Sequence, residues 1–339
     1  MKIKPVLLLA IVSIILSGLN SCNNQTSESS EKDTSIVETI DAFPLLMRHL
    51  ERENDYINNQ APSVILASDV YAELGKNIHI IDIREKEEYA EGHIKGAVNL
   101  NQKDILDYLL NDIVPSNFDK IIIVCENGDA STYVSSVLSL IGYFNIFALK
   151  YGMCSWNKDF AKDYWLSAIK KDYSAKLVSK TDSMPEKGEY PKLPSCEMTC
   201  ADAMEKMAKD LLDENPSQLK ISIDELLAKP DDYFIISYLP EKKYKAGHIP
   251  GSVHYAPRAS LRRDSALNTL PLDKTIVLYC YSGHHTAAVT AYLNLLGYTA
   301  KNLEYGSMGF MNKQMKEKGE KHFSSKKIMN YPFSVGSSQ

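Results

Sequence analysis

Positive charge is in short supply. The 339 residues carry 38 Lys and Arg against 43 Asp and Glu, a formal net charge of −5, so no basic field draws the chain onto nucleic acid. Cysteine is scarce, with 6 in the chain. Cys196 and Cys200 stand four apart with no Cys or His pair nearby to complete a metal site, and no metal or cofactor is expected. The apolar run 6–16, broken only by Ser13, is too short to span a bilayer comfortably. Behind Lys2 and Lys4 it reads as a targeting segment over residues 1–21. The rest is ordinary globular composition, 44% hydrophobic and 24% charged, in a length that suits about two domains.

The densest signal is Tyr279-Cys280-Tyr281-Ser282-Gly283-His284-His285-Thr286. An apolar run, 276–279, leads into a lone cysteine, then a short loop with one glycine, then a helix-patterned segment 286–296. Strand, tight loop and helix N-terminus place a thiol where backbone N–H groups and the helix dipole stabilise an anion. Taken alone, the segment fits a buried structural cysteine better than a reactive one. A second copy argues against coincidence. Cys125 follows the apolar run 121–124 and precedes Gly128. Cys125 and Cys280, His93 and His248, and Gly142 and Gly297 are each 155 residues apart. Three landmarks in one register imply a duplicated domain, and the period is far too long for a solenoid.

Ile81-Asp82-Ile83-Arg84, followed by Glu88-Tyr89, Gly92-His93-Ile94, Gly96-Ala97 and Asn99, resembles the rhodanese (sulfurtransferase) signature. The Cys-x-x-Gly loops at Cys125 and Cys280 resemble that family's catalytic loop, over roughly residues 61–160 and 215–315. The resemblance implies an α/β fold: two rhodanese-like domains, each an open, mostly parallel five-stranded sheet flanked by helices. It also implies a cysteine persulfide that moves a sulfane sulfur from a donor such as thiosulfate to a thiol or cyanide. In the second copy Ser237 and Leu239 replace Asp82 and Arg84, so that ion pair is lost. Asp82 with Arg84, and His93 and His248 in their turns, are expected to be structural.

In chain order, Leu19-Asn20-Ser21-Cys22 resembles a bacterial lipoprotein cleavage box, with an ordinary secretory signal as the alternative. Lipidation at Cys22 would anchor the exported protein to a bacterial membrane, on the periplasmic side or at the cell surface. Residues 22–35 read as a solvated tether. Residues 36–165 read as the first domain, with an N-terminal helix around Leu45, Leu46 and Leu50 packed on it. Residues 166–200 read as a linker rich in proline, 201–323 as the second domain and 324–339 as a frayed polar tail. Ser222 and Glu225 form a capping box. With Cys22 and the loop cysteines set aside, Cys154 is expected to pair with Cys196 or Cys200, since an exported compartment permits disulfides.

The two loops differ in charge. The family usually places an arginine two positions after the loop glycine. Here Ala130 and His285 stand there, which weakens the case for thiosulfate in both copies. Glu126 and Asp129 flank Cys125. A carboxylate about 4 Å away repels a thiolate by ~1 kcal/mol in water and ~4 at intermediate screening, enough to raise the thiol pKa by about one to three units. Cys280 has no acidic neighbour in its loop. His284 and His285 are neutral or partly cationic near pH 7, and Tyr281, Ser282 and Thr286 can donate hydrogen bonds. Cys280 is therefore the expected catalytic residue, with Cys125 second. The expected partners are a small sulfur donor and a thiol acceptor. A non-catalytic anchored scaffold is the alternative. A rhodanese-like phosphatase is disfavoured, because phosphoryl transfer wants a guanidinium fork that neither loop has.

Overall fold

A computed structural model describes residues 42–53, 55–193 and 200–336; the targeting segment, Cys22, the tether and Cys196 lie outside these. Two five-stranded sheets are present. The first contains β1 (Val64–Ile65), β2 (Ile78–Asp82), β3 (Val98–Asn99), β4 (Lys120–Val124) and β5 (Ile146–Leu149) in the order β1-β5-β4-β2-β3. The second contains β6 (Lys220–Ile221), β7 (Tyr233–Ser237), β8 (Val253–His254), β9 (Thr275–Tyr279) and β10 (Ala300–Leu303) in the matching order β6-β10-β9-β7-β8. Every pairing is parallel. Ile121, Ile122 and Ile123 in β4, and Ile276, Val277 and Leu278 in β9, are fully buried. A continuous apolar run is what a central parallel strand covered on both faces requires. The carboxyl ends of these central strands, where open α/β sheets put their sites, carry Cys125 and Cys280.

Each cysteine loop opens a helix, Asp129–Leu140 in the first domain and His284–Leu295 in the second, and these two helices pack against each other. Both are buried almost all round, so neither is amphipathic. The Asp129–Leu140 helix tolerates this because its hydroxyls bond its own backbone: Thr132 to the Gly128 carbonyl at 2.6 Å, Ser136 to that of Thr132 at 2.7 Å and Ser139 to that of Ser135 at 2.8 Å. One hydrophobic core runs unbroken through both, with Val134, Val137 and Leu138 from one and Ala288, Ala291 and Leu295 from the other. Returning such residues to water costs about 1.5–3 kcal/mol per large side chain, so the two repeats form one cooperative unit.

Two expectations change here, those for the N-terminal helix and for the tail. The N-terminal helix, Ala42–Glu53, has the expected apolar stripe, but it packs on the second domain. The Tyr292 hydroxyl meets Met47 Sδ at 3.6 Å, and Glu51 accepts from the Arg263 N–H at 2.8 Å. A stripe of Phe43, Leu46, Met47 and Leu50 shows that a face is buried and is silent on what covers it. The linker runs as an ordered strap along the second domain: Val178 bridges His248, and the Gly188 N–H donates to the Asn268 carbonyl at 2.6 Å. The tail is docked on the first domain rather than frayed. Met329 and Tyr331 donate their N–H groups to the Ser155 and Trp156 carbonyls, Ser334 bridges His93, and the Tyr331 ring stacks on Tyr71 at 3.9 Å. Aromatic anchors at 331 and 333 outweigh the polar composition around them.

Candidate active site

The frame of the first loop is as expected. Asp82 and Arg84 form a buried ion pair at 2.6 Å, and Arg84 Nη2 also donates to the Gly92 carbonyl at 2.7 Å. His93 Nδ1 donates to the Tyr89 carbonyl at 2.9 Å and His248 Nδ1 to that of Tyr244 at 2.7 Å, each ring stacked on its tyrosine. In the second domain the Tyr279 hydroxyl, held by the Ile249 N–H and Ser252 Oγ at 3.3 Å each, stands where the ion pair is missing.

Cys125 is turned into its own loop. Its sulfur accepts from the backbone N–H of Gly128 at 3.2 Å and of Ser131 at 3.3 Å, with Ser131 Oγ also at 3.3 Å. The loop is capped from both halves of the molecule. Trp165 Nε1 donates to the Asn127 carbonyl at 2.8 Å, and the His284 ring lies so close to Gly128 that a methyl group there would sit 2.5 Å from Nε2. Burial first, then Glu126, pushes the Cys125 thiol up to about 12 against the pull of the Ser131 and Gly128 hydrogen bonds. The direction matches the sequence reading, but the larger cause is burial. Asp129 plays no part: its carboxylate faces the second domain, 3.0 Å from where a Cβ on Gly283 would be. Cys154 is also buried and unpaired, its thiol donating to the Phe160 carbonyl at 3.2 Å. The expected bridge of Cys154 is not formed: its thiol is free and packs among Ala161, Trp165, Met308 and Phe323, while Cys196 and the Cys200 side chain lie outside the described residues.

Cys280 opens onto a cavity of about 510 Å³. Its sulfur accepts only from Thr286 Oγ1, at 3.5 Å. Around Cys125 the N–H groups of Gly128, Asp129 and Ser131 are engaged within the loop. Around Cys280 the N–H groups of Tyr281, Ser282, Gly283, His284, His285 and Thr286 make no hydrogen bond to the described residues. Such a run of free N–H groups at a helix N-terminus is suited to an anion.

The histidines are not its positive charge. The Tyr151 N–H donates to His284 Nε2 at 2.9 Å, so the His284 proton is on Nδ1, which faces the Ser282 carbonyl at 3.1 Å. Burial pulls both His284 and His285 down to about 4, with Arg258 adding to the effect at His285. Both are neutral at pH 7, the first of the two states that the sequence left open. The cavity wall instead carries Lys150, Arg258, Lys321 and Lys327, with no carboxylate. Lys150 and Tyr151 come from the first domain, Arg258 follows β8, and the other two lysines lie beyond the duplicated part. One signal for Lys150 was in the sequence: Lys150-Tyr151-Gly152 is repeated as Glu304-Tyr305-Gly306, one residue out of the 155 register. Both tyrosines adopt left-handed φ, 65° and 62°. Nothing in spacing marks Arg258, Lys321 or Lys327.

The repeat also inverts the field. Each domain lends the first two residues of this tripeptide to the other domain's loop, with Lys150 toward Cys280 and Glu304 toward Asp129, where it helps to raise the Asp129 pKa. The surroundings of Cys280 are cationic and those of the Cys125 loop are acidic.

A family model described as a rhodanese-like domain matches residues 66–159 and 222–313. The chain belongs to this family and carries two such domains. Among curated relatives, 84 residues are 29% identical to the thiosulfate sulfurtransferase GlpE of Shewanella oneidensis, covering 24% of this chain and 79% of that protein. The thiosulfate sulfurtransferase PspE of Escherichia coli is 31% identical over 68 residues, 20% of this chain and 64% of that one. The M-phase inducer phosphatase 1 of Mus musculus is 43% identical over 75 residues, 21% of this chain and 14% of the phosphatase. A solved thiosulfate sulfurtransferase from Pseudomonas aeruginosa aligns over 88% of this chain and 70% of its own, at 14% identity and a TM-score of 0.26.

Proposed function

We propose that this protein is a sulfurtransferase whose working nucleophile is Cys280, with the first domain serving as a wall of the site. The observation that carries this is the contrast between the two thiols: Cys280 faces a cation-lined cavity, whereas Cys125 is sealed and pushed up to about 12. Sulfurtransferase relatives support the reaction class. The Cys280 thiolate attacks the outer sulfur of thiosulfate, the sulfur–sulfur bond breaks, and sulfite leaves with the bonding pair. The persulfide then yields its terminal sulfur to a thiolate or cyanide, which regenerates the Cys280 thiolate. The free loop N–H groups stabilise the anionic persulfide. A phosphatase reading lacks its loop guanidinium, since Ala130 and His285 stand where the two loops would carry one.

Intact-mass analysis after exposure to thiosulfate should find a gain of one sulfur, about 32 Da, in the wild type and in Cys125→Ser, and none in Cys280→Ser. Turnover should follow the same pattern. A gain on Cys125 alone would reverse the assignment, and a gain on neither would favour the non-catalytic scaffold. We also propose export and lipid anchoring through Cys22, on the residues around it. Cys22→Ala should leave the membrane fraction, and retention there at wild-type level with normal processing would remove the proposal.

A further inference from the structure

The Cys280 cavity is much larger than the donor just named. Thiosulfate fills the space of only a few waters at ~30 Å³ each, while the cavity measures about 510 Å³ and falls in the range that encloses organic ligands. Its wall has two characters. Pro62, Val64, Tyr238 and Met308 give it an apolar side, which an inorganic anion does not need. Its cations form two groups. Lys321 and Lys327 act on Lys150, whose ammonium is held below its usual range by burial first and by these two like charges next. Arg258 is set apart: three of its five N–H donors are held by the Asn58, Asn59 and Ala61 carbonyls at 3.2, 2.9 and 2.7 Å, which leaves two for a ligand, and it lies beside His285. Among the described residues, none of the four is in an ion pair. His285 Nε2 is also without a hydrogen-bond partner. Uncompensated like charges around one cavity repel each other, and an anionic ligand relieves the repulsion.

Resting on the sulfurtransferase reading, we propose that the partner in sulfur transfer at Cys280 is an organic thiol, or its persulfide, that carries two carboxylates. One carboxylate meets the lysine group, the second meets Arg258, and the carbon skeleton lies on the apolar wall. Transfer to it is balanced without a further reactant: the Cys280 persulfide gives its terminal sulfur to the thiolate, the bond within the persulfide breaks, and Cys280 leaves as thiolate. The lysine wall comes from residues 150, 321 and 327, so both the first domain and the segment after the second domain define the specificity.

The test separates binding from catalysis. S-methyl mercaptosuccinate, a dianion unable to accept sulfur, and 2-(methylthio)ethanol, its neutral counterpart, are titrated calorimetrically into the protein. The dianion should bind at least about tenfold more tightly, and the preference should fall by about tenfold in the Lys150→Gln, Lys321→Gln, Lys327→Gln triple variant. The matching Lys→Arg triple variant, which keeps the charge, should retain it, and added salt should weaken it. Equal binding of the two compounds, or a dianion preference unchanged in the Gln variant, overturns the inference. Because no sulfur moves in this assay, its failure is distinct from failure of Cys280 to form a persulfide.

Discussion

Asp129→Asn should raise the thermal midpoint by roughly 5–10 °C at pH 8 and by almost nothing at pH 4, an effect sized at about 2–4 °C per kcal/mol for a chain of this order. Asp129 is 4% exposed, and neither carboxylate oxygen has a hydrogen-bond partner. Its pKa is pushed up to about 8 by burial, then by Glu304, against weaker pulls from Lys220 and the Tyr305 N–H. The unfolded chain titrates near the ordinary value of 3.8. Between those two values the folded protein keeps a proton that the unfolded chain releases, so this residue's contribution to stability falls as pH rises through the window. The full cost, reached above pH 8, is about 6 kcal/mol at ~1.4 kcal/mol per pKa unit. Local relaxation and solvent penetration bring such costs down to a few kcal/mol in folded proteins, and a small space lined by Asp129, Lys220 and Asn302 adjoins the carboxylate. Asparagine keeps the shape and has no charge to bury. Thermal unfolding of both proteins from pH 4 to pH 8 measures the difference. A gap that stays constant across that range would mean that Asp129 does not titrate in it.

Asp129 also marks where the sequence stops being informative. Sequence neighbourhood put it beside Cys125; the fold turns it outward, against Gly283 of the opposite loop. The duplication, the paired sheets and the Asp82–Arg84 pair were legible because each depends on local spacing or on periodic apolar runs. The difference between the thiols was legible in direction only. Loop charge separates Cys125 from Cys280 on paper, while in the molecule burial separates them, through Trp165 and His284 arriving from far along the chain. For the same reason the histidine charge stayed open between neutral and partly cationic, since a reference pKa carries no information about burial. Lys150, Arg258, Lys321 and Lys327 meet only in the folded chain. The docked tail was hidden by composition, because Tyr331 and Phe333 are too few to mark a segment as buried.

Gly306→Ala should destabilise the protein by about 3–4 kcal/mol and lower the reactivity of Cys280, per folded molecule, by at least about a hundredfold. Gly306 has φ 51°, and a Cβ there would lie 2.4 Å from the Cys280 carbonyl oxygen and 2.7 Å from the Gly283 nitrogen. Both are backbone atoms, so no side chain can swing aside. The Cys280 loop must retreat, loosening the bonds from the Ser307 N–H to the Cys280 carbonyl and from the Met308 N–H to the Tyr281 carbonyl, each 2.8 Å. Two such bonds contribute about 1 kcal/mol each, and the left-handed backbone adds about 1–2 for alanine. The duplication supplies the comparison. Gly152, at φ 57°, approaches the Cys125 carbonyl just as closely, at 2.3 Å from the corresponding Cβ. Its N–H bonds at risk are those of Met153 to the Cys125 carbonyl and Cys154 to the Glu126 carbonyl, at 2.9 and 3.1 Å. Gly152→Ala should therefore cost similar stability. Its effect on Cys280 should be smaller, about tenfold, transmitted through Lys150 and Tyr151 in the cavity wall. Denaturant unfolding gives the two stabilities, and the rate of persulfide formation, corrected for the folded fraction, gives the two reactivities. If Gly152→Ala reduces that rate as much as Gly306→Ala does, the loop of Cys125 takes part in the chemistry, and the assignment to Cys280 alone fails.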